Sequence, residues 1–106
     1  GVTKSKNILG TLVSKKNARI LFDNDSAGRD ETMKLIKDGY SVFMWSKLVG
    51  DLRKKYPRHR KELNEIKDIN NLYNFYVDIG EKYTYKSFNE YIMQYFSSSV
   101  FDLIFI

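Results

Sequence analysis

Cysteine is absent from these 106 residues. Neither a disulfide frame nor a zinc–thiolate centre is available, and nothing in the chain calls for an oxidising compartment. Histidine occurs once, at His59, which argues against a histidine metal cluster or a serine-type triad. Proline is confined to Pro57, and no stretch is of low complexity. No apolar run is long enough to cross a bilayer and the N-terminus carries no signal-peptide pattern, so no membrane partner is expected. The first residue is Gly1 rather than Met, and the expectation is a piece cut from a longer protein.

What is abundant is positive charge. The net charge is +5 with a pI near 9.4, and it is unevenly placed. Arg53, Lys54, Lys55, Arg58, Arg60 and Lys61 fall in nine residues without an acid. Those six outweigh the whole surplus, leaving a nearly neutral body with one cationic segment. Such a segment suits attachment to a polyanion, through phosphates and without sequence choice; a solvated surface loop accounts for it equally well.

The most informative feature is Asp23-Asn24-Asp25, directly after the apolar run Ile20-Leu21-Phe22 and directly before Ser26-Ala27-Gly28-Arg29. In an extended segment, residues two apart point the same way. Two carboxylates aimed into one space repel each other unless a cation lies between them, and hard divalent ions favour such oxygen ligands. A strand that delivers acids into a small-residue turn and then a helix is how α/β folds place chemistry at the carboxyl edge of a sheet. The competing reading is an ordinary turn with Asp as a helix N-cap.

The pattern along the chain predicts strands over 7–9, 18–22 and 40–45, with a polar turn or a helical turn over 12–17 and a helix over 27–38. Met33 and Ile36 share a face of that helix and Gly39 stops it. The 18–22 strand is apolar enough to be buried on both faces. Strand, helix and strand in about 30 residues make a βαβ unit. From 46 to 67 the expectation is an irregular basic excursion with a helical turn near 61–66. Ile69, Leu72, Tyr73, Tyr76 and Val77 recur at helical spacing up to Gly80. Ser87-Phe88-Asn89-Glu90 fits a capping box, with Thr84 as the alternative cap. The helix it opens carries Phe88, Tyr91, Ile92, Tyr95 and Phe96 on one side. Eleven of the sixteen aromatics lie from Tyr73 onward, and their helical spacing favours core packing over base stacking. For 100–106 a strand, a helix continuation and an apolar docking segment all remain open.

With these motifs in place, the chain resembles the Toprim domain of bacterial-type DNA primases, and tailed-bacteriophage primases in particular. Leu9-Gly10-Thr11 is similar to the "LGT" that closes the second Toprim strand. Ile20 through Arg29 is similar to the primase pattern of three apolar residues followed by D-x-D-x-A-G-R. Lys67-Asp68-Ile69-Asn70 resembles the phage "K-D-x-N". The resemblance implies an α/β fold, a Rossmann-like parallel sheet with flanking helices and a C-terminal helical segment. Residues 1–79 would be a partial catalytic domain with a basic insertion at 47–67, and 80–106 a helical extension. No Glu precedes Glu31, and Asn71 stands where primases carry an acid. The first β-α unit and its Glu are therefore expected to be missing, leaving the fragment alone incomplete.

The implied activity is synthesis of short RNA primers on single-stranded DNA by metal-dependent nucleotidyl transfer. Asp23 and Asp25 would be catalytic and, with Asp68, would hold Mg²⁺ or Mn²⁺. Gly28, Arg29 and Lys67 would meet nucleotide phosphates, and Arg53, Lys54, Lys55, Arg58, Arg60 and Lys61 the template or RNA–DNA hybrid. Nucleoside triphosphates and a replicative helicase would be partners, and the location would be the cytoplasm, that of the host for a phage protein. A Toprim nuclease or topoisomerase-like protein is the alternative within the resemblance. A non-catalytic nucleic-acid or helicase-docking module is the alternative outside enzymes.

Overall fold

In the computed structural model, residues 18–81 and 85–106 are described; the expectations for 7–9 and 12–17, and Thr84 as a cap, lie outside them. Helix α1 runs Ser26–Lys37. It begins at Asp25, whose backbone is extended and whose carboxylate accepts a hydrogen bond from the Gly28 N–H at 2.7 Å. It ends at Gly39, where φ is +90°. The Gly39 N–H reaches the Ile36 carbonyl and the Tyr40 N–H the Leu35 carbonyl, both at 3.0 Å. Those are the paired bonds of a Schellman stop, which needs a left-handed residue and so selects glycine. Gly28, Thr32, Leu35 and Ile36 form the buried face. Met33 is on the exposed side instead.

Strand β1 is only Arg19–Ile20, and β2 is Ser41–Phe43. They pair in parallel across α1, with Arg19 opposite Ser41 and Ile20 opposite Val42. Strand β3, Phe96–Ser97, joins the other edge of β2 antiparallel, with Phe43 opposite Phe96. This corrects the expected Rossmann-like parallel sheet and with it the Toprim assignment of fold. The sheet has three strands of mixed direction, none longer than three residues, and 65% of the described residues are helical.

Two features of the sequence account for the difference. The 40–45 run, apolar except for Ser41, does not continue as a strand, because Trp45 opens helix α2, Trp45–Lys55. The supposed irregular excursion is helical too: a 3-10 turn at Pro57–His59 leads into α3, Arg60–Asn64. Trp45, Leu48, Val49 and Leu52 are buried at i, i+3, i+4 and i+7, the spacing of one helix face. Arg53, Lys54 and Lys55 occupy the last turn of α2, where cations offset the negative end of the helix dipole.

Helix α4, Ile69–Asp78, starts at Asp68. Its Gly80 has φ +83°, and bonds from Gly80 to Val77 and from Glu81 to Tyr76 repeat the Schellman pattern. Val77 is exposed, and Leu72, Phe75 and Tyr76 are the buried residues. Helix α5, Tyr85–Met93, places Ser87 inside the helix, so the 87–90 capping box does not exist. Tyr95 and Phe96 lie past its end. Residues Val100–Phe105 form a 3-10 helix.

Strand β2 divides two cores. Val42 and Met44 belong to the group containing Ala18, Ile20, Leu35, Ile36 and Tyr40. Phe43 and Trp45 face the larger group built from α2, α3, α4 and α5, which includes Leu63, Leu72, Tyr76, Phe88 and Ile92. That alternation is the period of a strand buried on both sides. Arg19 in β1 is exposed, so double burial applies to β2 and not to 18–22. The aromatics pack edge to face, as Phe43 on Trp45 at 4.8 Å and Tyr73 on Phe88 at 5.3 Å.

Candidate functional site

The segment between β1 and α1 is pinned from three directions. The Trp45 indole N–H donates to the Phe22 carbonyl at 2.7 Å. The Asn24 backbone N–H donates to the Lys67 carbonyl at 2.6 Å, and its side-chain amide donates to the Ile66 carbonyl at 2.8 Å. A bond from the Asp25 N–H to the Asp23 carbonyl, 2.9 Å, tightens the turn itself. Asn24, to which the sequence assigned no role, is thus the link between the Asp-x-Asp turn and the start of α4. A buried carbonyl left without a donor is costly, so the link holds the register of the two segments.

Asp23 and Asp25 are both exposed and line one cavity of about 390 Å³, together with Gly28, Asp30, Glu31 and Lys34. Asp30 and Glu31 are acids that sequence reasoning passed over. Their place in the first turns of a helix following Asp-x-Asp was the available signal. Glu31 is partnered by Lys34 at 3.3 Å. Gly28 is buried, and a Cβ there would stand 2.0 Å from the Asp23 carbonyl oxygen. The small residue therefore accommodates the turn's own backbone, where the sequence reading had it accommodating a phosphate.

Asp68 is not part of that cavity. Its carboxylate accepts from the Asn71 N–H at 2.8 Å and caps α4. Asn71 in turn accepts from the Lys67 N–H at 3.1 Å, a reciprocal arrangement close to a capping box. Among the described residues no three His, Cys, Asp or Glu side chains are grouped so as to hold one metal ion. Of the three expected metal ligands, Asp23 and Asp25 line the cavity, while the Asp68 carboxylate is engaged as the cap of α4. Asp25 also caps a helix, but it does so from the cavity wall.

On the other side of the turn lies a second concavity, of about 240 Å³, lined by Asn24, Arg29, Ser46, Arg53, Asn64 and Lys67 among others. Arg29 and Lys67 therefore do not share the carboxylates' cavity. Of the six bases between 53 and 61, Arg53 alone lines this concavity. Lys54, Lys55, Arg58, Arg60 and Lys61 are exposed elsewhere on the surface, with the Lys55 ammonium 5.4 Å from the Tyr56 ring centre. No helix among the described residues is long and apolar enough to cross a membrane. No protein-family profile, curated protein or solved structure matches the chain.

Proposed function

We propose that this chain is part of a DNA primase, making short RNA primers on single-stranded DNA by metal-dependent nucleotidyl transfer. The observation that carries the reading is the run Ile20 through Arg29, set at the carboxyl end of a strand with both its acids opening onto one cavity. The donor chemistry fits a hard divalent cation: the carboxylates of Asp23, Asp25, Asp30 and Glu31 line the cavity, with no sulfur and no imidazole. Mg²⁺ is commonly held by one or two carboxylates, with water and substrate phosphates completing its shell, so a pair suffices. Bound there, Mg²⁺ or Mn²⁺ supplies the charge neutralisation that in-line attack of a 3′-hydroxyl on an α-phosphate needs.

The protein's own contribution is placement. Asp23 and Asp25 hold their oxygens at one mouth because Asn24 between them is anchored the other way, to Ile66 and Lys67. Asp25 is additionally oriented by the Gly28 N–H. A primase of this kind works in the cytoplasm, in company with template, nucleoside triphosphates and a replicative helicase.

The test is primer synthesis on a single-stranded template by the full-length protein carrying Asp23→Asn or Asp25→Asn. Asn caps a helix about as well as Asp, so Asp25→Asn keeps α1 while removing a charged ligand. Loss of ribonucleotide incorporation in both, with unchanged unfolding midpoints, is expected. Normal synthesis in both variants refutes the reading, and metal-dependent strand cleavage in place of synthesis assigns the pair to a nuclease.

A further inference from the structure

The concavity opposite the carboxylates is chemically its inverse. Arg29 comes from the first turn of α1, Arg53 from the last turn of α2, and Lys67 from the segment before α4. Three cations from three parts of the chain thus line one space of about 240 Å³, and no carboxylate lines it. Among the described residues none of the three has an acidic partner. Like charges gathered without a counter-charge repel one another, so the arrangement is relieved by an anion.

The pocket is also shaped by uncharged groups. The Arg53 guanidinium donates to the Asn64 side-chain carbonyl at 2.6 Å, which fixes one edge of its fork and leaves the other N–H groups available. Lys67 is held through its backbone by Asn24 and Asn71. Trp45 also borders the space, but it is only 4% exposed and its N–H is engaged by Phe22, so it offers no face for a base. The chemistry available is therefore charge-assisted hydrogen bonding to oxyanions, for which arginine forks are suited.

The geometry points to a phosphate-binding pocket formed by Arg29, Arg53 and Lys67, separated from the Asp23–Asp25 cavity by the Asn24 turn and selecting phosphate over base. The inference deepens the polymerase reading, on which the origin of the natural phosphate rests: a strand backbone or a nucleotide's polyphosphate tail. Phosphate binding itself needs no metal and no catalysis. The other bases of the 53–61 run lie outside the pocket.

The test is calorimetric titration of the chain with inorganic tripolyphosphate in the presence of a chelator, so that no metal bridges the ligand to Asp23 or Asp25. Saturable one-to-one binding is expected, weakened about tenfold or more in Arg53→Gln. Asn64→Asp removes no cation, but it gives Arg53 an internal carboxylate; a comparable loss is expected, with the unfolding midpoint checking the fold. Lys86→Gln, which removes the same charge from an exposed site on α5, is expected to leave binding within about twofold. Absence of saturable binding, or equal weakening in Lys86→Gln, overturns the pocket. Displacement of tripolyphosphate by a single-stranded oligonucleotide alone assigns it to strand backbone, and displacement by a ribonucleoside triphosphate alone to the nucleotide tail. Displacement by neither overturns it. Retained binding in Asp23→Asn separates this result from the fate of the primer-synthesis reading.

Discussion

Gly28→Ala is the sharpest perturbation of this site. A Cβ at position 28 lies 2.0 Å from the Asp23 carbonyl oxygen, 3.1 Å from the carbonyl carbon and 3.2 Å from Asp25 Oδ1. Close C···O contacts stop near about 3.3 Å, so the two must separate by roughly 1.3 Å. The obstructing atom is backbone, in a turn held by Trp45 and by both bonds of Asn24, and it cannot rotate away. Overpacking of this kind costs about 1–3 kcal/mol, and loss of the Asp25 cap adds about 1 kcal/mol. Better helix propensity returns about 1 kcal/mol. The net expectation is a loss of about 1–3 kcal/mol. Gly50 is the internal control, because it sits inside α2 and a Cβ there meets nothing within 4 Å. Gly50→Ala is expected to gain up to about 1 kcal/mol. Urea unfolding followed by far-ultraviolet circular dichroism measures both. A Gly28→Ala protein as stable as the parent, or more so, refutes the claim that the turn is rigid and packed against α1.

Two further expectations concern the frame around the site. Asn24→Ala removes the donor to the Ile66 carbonyl and is expected to cost about 1 kcal/mol. The loss is read from the unfolding midpoint and should be larger in Asn24→Asp, whose carboxylate would face that carbonyl. In the larger core, the Tyr95 hydroxyl donates to Asp51 at 2.8 Å; burial first, and this bond second, raise its pKa well above the ordinary 10.0. The unfolded chain releases that proton at the ordinary value while the folded one holds it. The contribution is therefore complete below pH 10 and declines as pH rises through 10 toward the folded value. Tyr95→Phe is expected to lose about 1 kcal/mol at neutrality and to show a shallower alkaline decline in thermal midpoint. An unchanged alkaline limb would assign the decline elsewhere, Tyr56 being raised in the same direction by burial and by its bond to Glu81.

Local signals were legible wherever one residue type answers one backbone demand. Gly39 and Gly80 mark helix ends because only a residue tolerant of positive φ closes a Schellman turn, and both do so. Asp25 and Asp68, flagged for chemistry, both obey the preference of Asp for helix N-caps. The 45–55 helix was written in Trp45, Leu48, Val49 and Leu52, but the run of bases that begins at Arg53, directly after them, drew the reading toward an irregular basic segment. Apolar character of 40–45 over-predicted strand, since composition does not distinguish a buried strand from the buried first turn of a helix.

By itself, then, the sequence determined the stops and starts of α1 and α4, the absence of thiol chemistry, and the adjacency of Asp23 and Asp25. Each follows from covalent order and local conformational preference. Only the tertiary structure decided the size and direction of the sheet, the pairing of Asn24 with Ile66 and Lys67, the exclusion of Asp68 from the acidic cavity, and the meeting of Arg29, Arg53 and Lys67. Those depend on which distant segments pack together, a choice made by the summed burial of two cores rather than by any short run of residues.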